Sequence, residues 1–479
     1  MAGYSVFSIE DFLAAEGRRA DRSALEQIPF TELLEFVRNA LDREWELSDD
    51  LLKSRRLELE KGAIMGIEKD AETLKDSIRA ILTAENLLAE PFPPYYPNLT
   101  EALFAELYGL SGIAPWAFDW TDEYKESSSA KLIGDRLYCL IDGRSVLQPQ
   151  RIPAQRRAQL IHALLLATPK ERVETGFHEV YLNNGIRVTI YSGEKSKKDQ
   201  DIIVFRKYVM KNLSFEALAA KGTFPYEAIP LFKAMCRIGF NVVFAGQVRS
   251  GKTTFLQTWQ SCEDPSLEGV AVATDPETHW EQILPDAPLM QLVADGKDLL
   301  QIEKSLKRSD ADYVILEEMR DAISYSLFLG ITNLGTTRSK GTIHDNSALN
   351  IPYKMASAIA SELGGDQQAM IAQLFTNIHF VFELCQLPEN KAQKRLTGIW
   401  EYRYDPREDR VYAIPLCRYH MDRDSWDWAP SVGADKLEFA GAYPKDRQVL
   451  AETLERLSKE HPLADAEPIA PAYYKGGRQ

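Results

Sequence analysis

The chain has 479 residues, 45% of them hydrophobic, enough to bury substantial cores and, by length, to form roughly two to four domains rather than one. Its 56 basic and 71 acidic side chains leave a net charge of −15, which argues against a protein that coats nucleic acid along its whole surface, and no stable nucleic-acid partner is expected. No stretch reaches the roughly 18 uninterrupted apolar residues of a membrane span, and the opening Met1-Ala-Gly-Tyr-Ser-Val lacks a signal peptide's basic and apolar regions, so a cytoplasmic location is expected.

Near the start, Leu33, Leu34, Phe36, Val37 and Leu41 recur at helical spacing, and a helical run is expected from Leu51 to Leu82. The segment Glu90-Pro-Phe-Pro-Pro94-Tyr-Tyr-Pro97 cannot continue a helix and reads as a linker, so residues 1–90 form a helical accessory region. Residues 91–212 read as a small α+β domain. Strands are expected at Arg136–Ile141, Gly185–Tyr191 and Asp201–Arg206, with a helix at Arg156–Ala167. Lys195-Ser-Lys-Lys-Asp199, between the last two strands, reads as a solvated hairpin tip. From Leu213 to about residue 430, helices alternate with apolar strands such as Asn241–Ala245 and Tyr313–Leu316, the pattern of a mainly parallel sheet covered by helices. Residues 431–479 read as a C-terminal helix and a flexible tail, whose prolines from Pro462 onward are expected to fray. Cys139, Cys236, Cys262, Cys385 and Cys417 contain no Cys-x-x-Cys pair and read as reduced thiols.

The chemistry concentrates at Gly246-Gln-Val-Arg-Ser250-Gly251-Lys252-Thr253-Thr254, a phosphate-loop pattern lying directly after an apolar strand and before a helical run. Glycines let backbone amides turn inward around a phosphate, Lys252 offsets charge on the β and γ phosphates, and the Thr253 hydroxyl is positioned to ligate magnesium. The nucleotide contacts expected here are Gly246, Ser250, Gly251, Lys252, Thr253 and Thr254, and the ligand expected is ATP with Mg2+. Hydrolysis also needs a carboxylate at the end of a neighbouring strand to orient the attacking water. Asp312-Tyr-Val-Ile-Leu-Glu317-Glu318 supplies two candidates, of which strand alternation lets only one face the phosphates.

Three segments in order, Gly246–Thr254, Val314-Ile-Leu-Glu-Glu318-Met-Arg320 and Gly341-Thr-Ile-His344-Asp-Asn-Ser347, resemble the ATPases of type II and type IV secretion and pilus assembly, most of all the tight-adherence (Flp) pilus branch. The resemblance covers about Ile133 to Tyr419. It implies a RecA-like phosphate-loop core assembled as a homo-oligomer, a hexameric ring, docked on a membrane platform protein. It also implies that Glu318 is the catalytic carboxylate, that His344 senses nucleotide beside the γ-phosphate, and that Arg187 and Arg206 help hold nucleotide between two domains. Guanidinium groups suit phosphate oxygens, although two strand-end surface arginines would look the same.

The departures from the family pattern are local. Asp275 is the match for the family's acidic box, but Thr274-Asp275-Pro276-Glu277-Thr278 spaces its acids by two rather than three. Glu317 replaces a glycine, Asn333–Lys340 replaces a Gly-His-rich turn, and the tetracysteine insert of the pilus extension enzymes is missing. The expected fold is therefore α/β, a RecA-like core with a small α+β N-terminal domain and a helical extension. The expected function is a motor ATPase driving pilus assembly or secretion. A nucleotide-gated subunit with little hydrolysis, and a DNA-translocating motor, are the competing readings.

Overall fold

The computed structural model describes residues 28–46, 50–168, 176–207, 213–274, 278–294, 296–306 and 310–476, and the chain divides into two compact units, Met1–Val209 and Met210–Gln479. Asp275 and Glu277 of the expected acidic box lie outside the described residues.

The first unit opens with α1 (Phe30–Glu46), α2 (Asp50–Ile64) and α3 (Glu68–Ala84). Leu33, Phe36, Val37 and Leu41 of α1 form one buried stripe against Leu74, Ile78 and Leu82 of α3, as their spacing requires. The run expected from Leu51 to Leu82 is two helices rather than one. Gly66 sits at φ +87 between them, where a side chain would be strained, and Asn183 donates its amide to the freed Met65 carbonyl at 2.7 Å. The proline-rich segment lies between the helix that stops at Ala84 and a further helix, Leu99–Leu107, and it is no loose linker, because Tyr96 is 3% exposed and packs with Ile113 and Trp116. Prolines forbid a helix without forbidding aromatic burial.

Six antiparallel strands follow: β1 (Ser129–Ile133), β2 (Arg136–Ile141), β3 (Arg144–Arg151), β4 (Phe177–Tyr181), β5 (Arg187–Tyr191) and β6 (Ile202–Arg206), in spatial order β3-β2-β1-β6-β5-β4. Leu160 and Leu164 of α4 (Ala154–Leu166) pack into the same core as Leu132, Val188 and Phe205 of the sheet.

The second unit is built on nine strands: β7 (Val242–Gly246), β8 (Gly269–Ala273), β9 (Leu289–Val293), β10 (Tyr313–Met319), β11 (Lys340–Ile343), β12 (Phe380–Gln386), β13 (Lys394–Asp405), β14 (Arg410–His420) and β15 (Ser425–Trp428). Their order is β15-β14-β13-β12-β7-β11-β10-β8-β9, parallel from β12 to β9 and antiparallel from β12 to β15. Alternation along β7 divides two cores. Val242 and Phe244 face Phe232 of α5 (Ile229–Ile238) and Phe255 and Trp259 of α6 (Lys252–Ser261). Val243 and Ala245 face Phe328 of α7 (Ala322–Asn333), Met355 of α8 (Ile351–Glu362) and Phe375 of α9 (Gln367–Asn377). The C-terminal segment expected to fray is held as far as it is described: Ile469 pairs with Ala413, Pro462 bridges Trp428, and the Tyr473 hydroxyl donates to the Leu349 carbonyl at 2.6 Å. Its prolines cannot continue a helix, yet extended backbone can still add to a sheet edge.

Candidate nucleotide site

All five residues of β7 are buried between β11 and β12, which fixes where the chain leaves the sheet. The loop that follows turns through three left-handed or extended-positive conformations, Gly246 at φ +150, Arg249 at +65 and Gly251 at +95, before α6 begins at Lys252. Gly246 is required for space as well as for φ. A Cβ there would lie 2.2 Å from the Leu384 carbonyl oxygen and 2.5 Å from Ser250 Oγ. Gln386, at the end of β12, donates its side-chain amide to the Arg249 carbonyl at 3.0 Å and braces the loop from outside. Beneath it, Phe232, Phe244, Phe255, Trp259 and Phe382 meet at centroid distances of 5.0–6.1 Å, a rigid aromatic floor for α6.

Lys252 is 6% exposed and curls back over the loop, donating from Nζ to the Gly246 carbonyl at 3.0 Å and the Gln247 carbonyl at 2.9 Å. A third contact, 3.1 Å, runs to Nδ1 of His344. The other ring nitrogen, Nε2, lies 3.0 Å from Oε1 of Glu318. A neutral imidazole protonated on Nε2 satisfies both contacts, accepting from Lys252 and donating to Glu318. Lysine, histidine and glutamate thus form one chain across the C-terminal edge of the adjoining strands β7, β11 and β10, the edge where open α/β sheets bind ligands.

The two adjacent glutamates diverge. Glu317 is 8% exposed and accepts from Trp280 Nε1 at 2.6 Å, while its own carbonyl accepts from the Thr342 hydroxyl. The Glu318 side chain is 34% exposed, faces His344, and has Arg320 Nε at 3.4 Å. Strand alternation separates them, and the register of β10 against β11 shifts between Leu316 and Met319, so the strand kinks where the acids sit.

Burial pushes the Lys252 ammonium down to about 8, with the Glu318 charge opposing that shift. Burial also pushes the Glu318 carboxyl up, but the His344 hydrogen bond and the charges of Arg320 and Lys252 outweigh it and hold the group below its ordinary value. The carboxylate is therefore ionised at neutral pH. Ser250 is fully buried and its hydroxyl has no hydrogen-bond partner, an orphan that a phosphate oxygen would satisfy. Thr253 and Thr254 are half-buried in the first turn of α6, where backbone amides lack helical partners. The orphan hydroxyl, the cradle that excludes a Cβ, and Lys252 fit a phosphate. The Thr253 hydroxyl is an oxygen donor of the kind that would hold a magnesium ion.

Two supporting residues are not singled out by the sequence. Glu383, on β12, accepts from the Ala348 amide at 2.5 Å and from Trp400 Nε1 at 2.7 Å, and burial raises its pKa. Lys354 donates to the His344 carbonyl at 2.5 Å. Both brace the turn after β11 that carries His344. An acid inside the apolar run Phe380–Leu384 is the one signal that marked Glu383 in advance. Arg187 and Arg206 belong to the first unit, where they are direct register partners on β5 and β6; Arg187 also pairs with Glu179 at 2.5 Å.

A buried strand, a phosphate loop closed by a lysine, and an ionised carboxylate on the neighbouring strand define a phosphate-loop nucleotide-hydrolase domain. Residues 194–419 match the family described as Type II/IV secretion system protein, which this segment of the chain resembles. Solved structures with a similar chain path include the VirB11 ATPase of the Brucella suis type IV secretion system, with 16% identity over 61% of this chain and 95% of that one at a TM-score of 0.32. The Legionella pneumophila ATPase DotB is 14% identical over 72% and 88%, TM-score 0.44. The pilus retraction motor PilT with bound ADP is 14% identical over 71% and 91%, TM-score 0.43. No curated protein matches the chain. Among the described residues, no helix is long and apolar enough to cross a membrane.

Proposed function

We propose that this chain is a motor ATPase that converts ATP hydrolysis into pilus assembly or protein secretion, and that Glu318 is its catalytic carboxylate. The observation that carries the reading is the Lys252–His344–Glu318 chain at the mouth of the phosphate loop. Lys252 would exchange the Gly246 and Gln247 carbonyls for β- and γ-phosphate oxygens, stronger charge-assisted partners. His344, losing its lysine contact in that exchange, would report the γ-phosphate to Glu318. Glu318, ionised and partly exposed, would orient water for in-line attack. Thr253 would hold magnesium, which would supply charge compensation for the phosphates. Arg187 and Arg206 are proposed as further nucleotide contacts, and Asp275 as the acidic-box residue.

The finer parts of the reading extend the family resemblance. The protein would work as a homo-hexamer in the cytoplasm at the inner face of the membrane, docked on a platform protein, within the tight-adherence pilus branch. Its helices up to about residue 90 would serve docking rather than ring formation. The extra acid Glu317, which motivates the nucleotide-gated alternative, accepts from Trp280 Nε1, which supports Glu318 as the catalytic carboxylate. The test is magnesium-dependent ATP hydrolysis by the purified chain, together with its mass by light scattering in a non-hydrolysable ATP analogue. Turnover and a six-protomer species support the motor. A chain that binds ATP as a monomer without turning it over refutes it.

A further inference from the structure

The first unit carries a cavity of about 360 Å3 whose wall is dominated by cations. Its sides are the β1–β2 turn, the first turn of α4 and the tip of the β5–β6 hairpin, which contribute Arg136, Arg157, Lys197 and Lys198 against two carboxylates, Asp135 and Asp199. Four cations less two anions in the wall leaves two positive charges, and Asp201, paired with Arg157, reduces the local excess to one, in a chain whose net charge is −15. Among the described residues Arg136, Lys197 and Lys198 form no ion pair. All three are exposed, and the Arg136 guanidinium lies 6.0 Å from the centre of the Tyr138 ring.

Arg157 is the built part of the site. It is 3% exposed, with Nε donating to Asp201 Oδ2 at 3.1 Å and Nη2 donating to the Asp199 carbonyl at 3.3 Å, which leaves Nη1 for the cavity that it lines. A guanidinium clamped on two nitrogens is held in position for a third contact at little entropic cost. Ala154, also in the wall, begins α4 behind Pro153; this helix end has no side-chain cap and no acid in its first turn, so its partial positive charge adds to the wall. The cavity is remote from the arginines proposed to meet ATP. Across β1 and β6, Ile133 pairs with Ile202 whereas Ser129 pairs with Arg206, so the two ends of β6 lie about 13 Å apart along the strand.

We propose that this cavity binds a small phosphorylated metabolite, with Arg136, Lys197, Lys198 and Nη1 of Arg157 around its phosphate. The volume sits at the low end of small-molecule pockets, which suits a sugar phosphate or mononucleotide better than a polymer. The proposal does not depend on the phosphate-loop assignment, and the test keeps them apart. Inorganic pyrophosphate is titrated calorimetrically into the full chain carrying Lys252→Ala at about 0.15 M salt, with ribose 5-phosphate and sulfate as parallel probes. One pyrophosphate site should remain in that background, and adding Arg136→Ala and Lys198→Ala should weaken it about tenfold or more. Ribose 5-phosphate should bind and sulfate should not match it. Absence of the site in the Lys252→Ala chain, indifference to the two cavity substitutions, or sulfate binding as tight as the phosphate ester would each overturn the proposal.

Discussion

Of the three lysines buried among the described residues, Lys340 and Lys252 lie near opposite ends of the parallel strands of the nine-stranded sheet, and they do opposite things. Lys340, at the start of β11, is fully buried and paired with Glu263 at 2.9 Å and Gln260 at 2.6 Å, with its ammonium 4.6 Å from the centre of the Tyr313 ring. Lys252, beyond the other end of the sheet, donates to two neutral loop carbonyls and contacts a histidine. Burial lowers the pKa of both, so burial alone does not distinguish them. The partners do. A lysine neutralised by its own carboxylate is finished as structure, whereas one held by neutral acceptors gains when phosphate arrives.

The largest expected effect is on the second lysine. Lys252→Ala should cost ~10²-fold or more in hydrolysis and weaken ATP binding while circular dichroism and melting stay close to wild type, because the loop carbonyls it leaves can be hydrated. Next, Lys340→Met should unfold the chain more readily by about 3–5 kcal/mol in denaturant titrations, since it strands Glu263 without its cation. The double variant Lys340→Met, Glu263→Leu should recover much of that loss. Wild-type stability in Lys340→Met would break the contrast between the two lysines. The smallest effect is one of pH. Lysine binds phosphate when charged, so as pH rises through about 8 the free site loses its proton and binding must take one up. ATP affinity measured by fluorescence titration should then fall by up to about tenfold per pH unit above 8; a flat profile to pH 10 would show that Lys252 stays charged without ligand.

The phosphate loop is legible in the sequence because its constraints are stereochemical. Gly246 has no room for a Cβ, Gly251 needs positive φ, and both flank elements announced by their own periodicity. The separation of Glu317 from Glu318 follows from alternation, but not what Glu317 does, since Trp280 reaches it from 37 positions away. The meander β13–β15 is not legible in the sequence: Tyr402, Tyr404, Arg403 and their neighbours mix aromatic and charged residues without a clean period. They pair because β12 offers an edge, a tertiary fact. The proline-rich segment and the C-terminal tail mislead for a shared reason. Local rules state which backbone conformations are closed to them, not whether Tyr96 or Ile469 finds a partner.

The central claim, that the carboxylate reached through His344 is the catalytic one, is tested most directly by comparing Glu318→Gln with Glu317→Gln in ATP binding and single-turnover hydrolysis. Glutamine keeps the shape of either side chain. Glu318→Gln should bind ATP as wild type does and hydrolyse it ~10²- to 10⁴-fold more slowly. Glu317→Gln, whose amide oxygen can still accept from Trp280, should keep most of the rate. Equal rates for wild type and Glu318→Gln, or the larger loss in Glu317→Gln, would contradict the account.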